Sequence, residues 1–378
     1  MIVDRFMSTS CARTAAIATL LASLVVLSVG ASPASAAEFS VTTTTDGGAG
    51  SLRDAFASAS ASFEPNQIVL QSGETYLLDL CAEGDLDYTS SEPLTIVGNG
   101  STIRQTCAGE GVIESSGDIT IEDATVSGGD NLGLGGGIKA DTADVTLIRS
   151  TVAGNRAATG GGVGAIRVIL VDSTITGNEA STGGGVWADQ TLHATNSTIT
   201  DNIATTSGGG LAVVNTSAAL LYATVVDNTA PIGANVQLQQ GSDELISFAT
   251  VIGLPAGGGT DCDIDAGAVT TSQGYNFSSD GSCGFGGGAG DLDAAGDPAL
   301  GELGDNGGPT PTRLPVVDSP LLDQVGCDAA PEPVNADQRG VARPQGQACD
   351  IGAVELEVEA DGPTPAAPPA AVTPRFTG

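Results

Sequence analysis

The sequence predicts an all-β protein wound as a parallel β-helix, with three short strands and about 25 residues in each coil. Three observations predict it. The first is a phrase that recurs at Ala124-Thr125-Val126, Ser150-Thr151-Val152, Ser173-Thr174-Ile175, Ser197-Thr198-Ile199, Ala223-Thr224-Val225 and Ala249-Thr250-Val251, its threonines 26, 23, 24, 26 and 26 residues apart. The second is what travels with the phrase: an Asn at 155, 178, 202 and 228, and a Gly triplet at 135–137, 160–162, 183–185 and 208–210. The third is alternation inside each unit, as in Val186 and Ala188, then Leu192 and Ala194, then Ile199. This is a strand period broken by turn residues, with no helical spacing. A fixed period of this length marks a solenoid.

Coils stacked about 4.8 Å apart pair each strand with its counterparts above and below. Residues of equal phase then line the interior. Val145, Val168, Leu192 and Ala218 form one file, and Leu147, Leu170, Ala194 and Leu220 the next. Asn155, Asn178, Asn202 and Asn228 share a turn, where stacked amides bond one another. The Gly triplets permit the positive φ of a sharp corner.

Composition agrees with this reading. The 378 residues include 54 Gly but only 8 Phe, 4 Tyr and 1 Trp, so the core is built from Val, Ile, Leu and Ala. Forty-five acidic against 12 basic residues give a formal charge of −33. That field repels nucleic acid and anionic membranes. At 40% apolar residues, the chain is too hydrophobic to be a disordered acidic one. A single His excludes any mechanism that needs two imidazoles.

Taken in chain order, residues 1–36 read as a signal peptide. Arg5 and Arg13 precede the apolar run from Thr14 to Val29, and Ala34-Ser35-Ala36 supplies the cleavage site. The mature chain is then exported, begins near Ala37 and inserts in no membrane. Residues 37–115 form the N-terminal cap and first coils. After the strand from Phe39 to Thr43, Ser51 is a helix N-cap, and Leu52, Ala55 and Phe56 share one helical face. This short capping helix closes the open end of the first coil. Ile68 to Leu70, Tyr76 to Leu78 and Leu94 to Val97 begin the winding. Residues 116–256 are the repeat region, 257–357 a Cys-containing C-terminal region, and 358–378 a Pro/Ala-rich tail read as linker or disordered.

Six cysteines remain once Cys11 leaves with the signal, and 15 pairings are open to them. Their spacing in an exported chain favours three local disulfides, Cys81–Cys107, Cys262–Cys283 and Cys327–Cys349, over metal ligation.

The segment Gly50-Ser51-Leu52-Arg53-Asp54-Ala55 resembles the CSLREA-type N-terminal segment of bacterial secreted β-helix proteins, with Gly50 in place of Cys and Asp54 in place of Glu. The Asn and Gly-triplet repeats are similar to those of chlamydial polymorphic outer-membrane proteins. Gly304-Asp305-Asn306-Gly307-Gly308-Pro309-Thr310, Ser319-Pro320, Asp337-Gln338-Arg339-Gly340 and Cys349-Asp350-Ile351-Gly352-Ala353 resemble the choice-of-anchor domain that ends many such proteins. The resemblance covers residues 39–355 and implies a secreted or surface right-handed β-helix.

Chemistry is sparser. Asp123, Asp141, Asp144, Asp172 and Asp189 share no common phase, so they do not form the paired carboxylates of a glycosidase. Arg149 and Asp172 hold equivalent places on adjacent coils and read as a surface ion pair. His193 points outward between Leu192 and Ala194, without a nucleophile elbow, and reads as a solvated strand residue. Trp187 also points outward, between Gly164 and Ala212 on the adjacent coils, where a shallow cleared groove would let it stack on a sugar ring. Trp187 and His193 are therefore the candidate ligand-binding residues. Asp261-Cys262-Asp263-Ile264-Asp265 suggests a calcium loop, but Ala266 and Ser272 stand where an EF-hand needs Gly and Glu. The expectation is no cofactor beyond weak calcium binding at the acidic surface. The outward threonine file is not doubled, as an ice-binding face would need. The sequence thus points to an exported, non-enzymatic scaffold for adhesion or glycan binding, whose partner is an extracellular polysaccharide or surface protein. A polysaccharide lyase or glycoside hydrolase is the alternative.

Overall fold

Ile68, Ile96, Ile121, Leu147, Leu170, Ala194 and Leu220 stand one above another through parallel pairing and are almost wholly excluded from solvent. A second interior file beside them runs Leu94, Ile119, Val145, Val168, Leu192, Ala218 and Leu245. Both anticipated ladders are present in the anticipated register. The computed structural model that shows them describes residues 36–239, 241 and 244–357, and it is a right-handed parallel β-helix of about 10 coils. Residues 1–35 of the expected signal peptide and the tail 358–378 lie outside the described residues.

Each coil has three faces. The first runs from the strand Ala37–Ser40 to the strand Val269–Gly274, the second from Thr75–Leu78 to Phe277–Ser278, and the third from Leu86–Tyr88 to Cys262–Ile264. Winding therefore begins and ends well outside the 116–256 repeat region. Helix α1, Leu52–Ser60, closes the N-terminal end and buries Leu52, Ala55, Phe56 and Ala59. Ser51 caps it by accepting from Asp54 N–H, and Asp54 accepts in turn from Gly50 N–H at 2.8 Å. At the other end Phe285, fully buried, joins the core beside the disulfide Cys262–Cys283. Cys81–Cys107 ties the second face near the cap. The third expected pair involves the Cys327 side chain, which lies outside the described set; Cys349 is buried and disulfide-bonded.

In six successive coils one residue with left-handed φ turns the chain from first to second face: Asp123 (52°), Arg149 (48°), Asp172 (51°), Asn196 (46°), Tyr222 (50°) and Ala249 (48°). None is Gly, so each corner carries strain that its surroundings must hold. The residue that follows does so. Ser173 Oγ accepts from Ser150 N–H and Ser197 Oγ from Ser173 N–H, at 3.1 and 3.2 Å. This corner also corrects the last repeat. Val251, not Thr250, pairs with Thr224, and Thr250 is fully buried in the serine position, accepting from Ala223 N–H. The phrase Ala249-Thr250-Val251 recurs one place out of phase because the chain is longer before this corner: Val213 pairs with Leu238, 25 residues on, but Ser217 pairs with Glu244, 27 residues on.

The Asn file is a continuous buried ladder. Asn155 Nδ2 donates to Asn178 Oδ1 (3.0 Å), Asn178 to Asn202 (2.9 Å) and Asn202 to Asn228 (3.0 Å), while each backbone N–H donates to the same oxygen. It runs on through Asn235 to Asp261, which the sequence did not reveal. Asp261 ends it as an acceptor for Ser278 and Ser279 hydroxyls and for the N–H of Ser279 and Asp280. Burial, and next Asp280, push its carboxyl up to about 6. The suspected calcium loop therefore begins with a ladder cap. Gly162 shows why the triplets stay glycine: a Cβ there would meet Gly185 O at 2.7 Å and Asn178 Nδ2 at 3.0 Å.

Residues 298–357 form a strap without long strands, folded back over the outer side of the second face. Leu321, Val325 and Ile351 pack there with Leu221, Phe248 and Val251. The outward threonines are thus covered: Thr174 and Thr198 are fully buried and Thr224 is 2% exposed. Arg343 sits 4.2 Å over the Tyr222 ring and pairs with Glu355, both side chains 1% exposed. Arg313 bridges Asp201 (3.1 Å) and Asp227 (2.7 Å) on neighbouring coils.

Candidate functional site

The third face keeps its outer side. Its outward file runs Asp87, Glu114, Lys139, Gly164, Trp187, Ala212, Gln237 and Asp263, one residue per coil. At the N-terminal end Asp85, Asp87 and Glu114 bring carboxylate oxygens within 4.8 Å of one another. That is close enough for three oxygens to share one divalent cation. The cap holds this end in place: Arg53 pairs with Asp46 and donates to the carbonyls of Gly84 (2.6 Å) and Asp85 (2.7 Å). Lys139 closes the cluster on the far side, 2.7 Å from Glu114 Oε1.

These charges interact. Burial, then the charges of Asp87 and Glu114, raise the Asp85 carboxyl above the usual range. Asp87 is raised by burial and by Glu114, against the opposing charges of Arg53 and Lys139. Its hydrogen bond to Glu114 lifts the Lys139 ammonium. Clustered carboxylates beside a cation can bind a metal, hold a proton above the ordinary carboxylate range, or receive a cationic group.

Trp187 lies three coils along the same file from Glu114, about 14 Å at the usual coil spacing. It is half-buried. The cleared groove expected beside it is filled. Gly164 is buried beneath Leu134, whose Cδ1 lies 2.5 Å from where a Cβ at 164 would stand, and Ala212 is fully buried. Trp187 therefore stands next to an apolar step, with Lys139 beyond it.

His193 is not brought to this site. It stands on the first face between Ile169 and Ala219, and it is 8% exposed rather than solvated. Its Nδ1 is buried without a hydrogen-bond partner, and burial, then Arg167, lower the ring to about 4. Among the polar groups weighed in the sequence, Arg149 turns away from Asp172. It donates twice to Asp123, at 2.8 Å each, on the preceding coil. Asp172 interacts instead with Asn196, and burial lifts it to about 6. Sequence reasoning missed Asp85, Asp87 and Glu114 because the Asn and Gly markers that assign phase begin only after residue 116. The 27-residue interval between Asp87 and Glu114 was the available signal.

Set against known proteins, the chain matches no family model, no curated protein and no solved structure. Among the described residues no helix is long and apolar enough to cross a membrane.

Proposed function

We propose that this is an exported β-helix that binds an extended glycan along the outer side of its third face, without chemistry on it. The observation that carries this reading is the single file holding Glu114, Lys139 and Trp187 at coil spacing, on a face that the strap does not cover. A file that presents Glu114 and Lys139, then an apolar step at Gly164, then the half-buried indole of Trp187 suits a chain of sugars, whose hydroxyls need hydrogen bonds and whose ring faces stack on aromatics. Two disulfides and the signal-like start support export. The likeness to CSLREA-type and choice-of-anchor proteins supports placement at a cell surface.

The test uses residues 37–378, with calcium present and absent, on insoluble plant, algal and microbial polysaccharides. Retention without new reducing ends or unsaturated products, at least about tenfold weaker in Trp187→Ala, is expected; tenfold corresponds to about 1.4 kcal/mol. Equal retention of wild type and variant would overturn the reading. The carboxylates at Asp85, Asp87 and Glu114 favour one second reading, a polysaccharide lyase or hydrolase. It requires products from the wild type that Asp85→Asn does not form.

A further inference from the structure

The chain itself occupies part of the second face. The outward threonines Thr102, Thr125, Thr151, Thr174, Thr198 and Thr224 are in one register. From Thr174 onward each hydroxyl has a partner in the strap. Thr174 donates to Pro311 O at 2.7 Å, Thr198 to Gln338 Oε1 at 2.6 Å, and Thr224 accepts from Ala353 N–H at 3.0 Å. Towards the N-terminus Thr125 and Thr102 are only half-buried. The strap's leading edge is Pro309, where a cavity of about 300 Å³ opens, lined by Asn99, Gly100, Asp123, Thr125, Arg149 and Pro309.

Gly308-Pro309-Thr310-Pro311 is the part of the strap that borders this cavity. Thr310 donates its hydroxyl to Asp172 O at 3.1 Å and accepts from Gln338 Nε2 at 2.9 Å. Gly308 takes a φ of 84° and packs so closely on Arg339 that a Cβ would lie 2.7 Å from its Cα. The two prolines fix φ and lack N–H groups, so the segment's backbone offers mainly carbonyl acceptors. A file of threonine hydroxyls supplies the matching donors. Face and segment are chemically complementary.

The same tetrapeptide occurs once more, as Gly362-Pro363-Thr364-Pro365. Glu357, five residues before it, has its carboxylate 3.7 Å from Arg339 Nη1, and that nitrogen also donates to Asn306 O at 3.2 Å. Asn306 is three residues from Pro309, at the rim of the cavity. Five residues span up to about 17 Å, so the second copy is tethered within reach. We propose that the open stretch of the second face is a docking site for Gly362–Pro365 of the same chain, with Thr125 donating to the Pro365 carbonyl as Thr174 does to Pro311. This assignment concerns a different face from the glycan file and stands without that reading.

A photo-crosslinking experiment on residues 37–378 tests it, with p-benzoylphenylalanine replacing Asn99 at the cavity and, as control, Thr146 on the first face. The expected result is an intramolecular crosslink from position 99 to a peptide containing residues 361–369, and none from position 146. Thr125→Val should weaken the crosslink severalfold, and the triple variant Pro363→Gly, Thr364→Gly, Pro365→Gly should abolish it. That triple variant lies beyond the coils, so its far-UV spectrum should match the parent. No tail crosslink from position 99, one that survives the triple variant, or one found only between chains would overturn the proposal.

Discussion

In the coils a buried polar group meets a copy of itself: Asn178 bonds Asn202, and Ser150 bonds Ser173. In the strap the buried ion pairs and amide contacts each join unlike groups. Arg343 has Glu355, Arg313 has Asp201 and Asp227, and Gln338 is shared by Thr174, Thr198 and Thr310. The coils therefore distribute their polar satisfaction over many equal steps, while the strap concentrates it in a few. The comparison teaches where each region is vulnerable. A ladder that loses a rung keeps the others, whereas a latch has no substitute.

The largest effect is expected at the latch. Arg343→Met leaves Glu355 buried without its cation, which costs about 3–5 kcal/mol at pH 7.5. Burial already raises the Glu355 carboxyl although Arg343 opposes it, so at pH 5 protonation should relieve part of the cost. Urea unfolding at the two pH values measures both. A loss under about 1 kcal/mol at pH 7.5 would show that the strap is held by its apolar contacts instead.

Asn202→Ala comes next. It removes the acceptor of Asn178 N–H and Nδ2 and leaves them buried, an expected loss of about 1–3 kcal/mol by the same denaturation. If it exceeds the cost of Arg343→Met, the contrast between rung and latch is reversed.

The smallest effect is on pH dependence. Asp172, near the strap, and Asp261, at the ladder end, are both lifted to about 6 by burial. Each holds its proton more tightly folded than unfolded. Its stabilisation, about 1 kcal/mol for each after screening, is complete below the ordinary carboxylate range and is lost as pH rises through about 6. His193 has the opposite sign: lowered to about 4, it contributes above its ordinary value of 6.5 and loses that contribution as pH falls towards 4. Thermal midpoints should fall between pH 5 and 7.5. Asp172→Asn should flatten that fall, and His193→Gln the loss on the acid side; unchanged profiles would show that neither group is linked to folding.

The same contrast decides what the sequence reveals. Val145, Val168, Leu192 and Ala218 were legible as a file because each is a repetition, and repetition fixes phase. The Asn rungs were legible for the same reason. Asp261 was not, since a carboxylate ends the ladder where an amide would have continued it. Thr250 was misplaced because a three-residue phrase cannot detect the extra length between Leu238 and Glu244, one turn of chain earlier. The strap was out of reach altogether. Gln338 lies 164 residues from Thr174, and nothing periodic connects a pair that occurs once. The candidate site was half legible: Trp187 fell within the marked repeats, while Asp87 and Glu114 fell before them.

The strap also alters how the molecule would carry load. Stacked coils transmit tension only from neighbour to neighbour, so a pulled solenoid should peel one turn at a time. Here Thr310 is fastened to Asp172, and Gly352 donates to Ala249 O at 2.9 Å, several turns further along. Between those anchors the stack is splinted from outside. Stretched from its ends, the molecule should lengthen first in its unsplinted N-terminal turns, while the braced turns yield together.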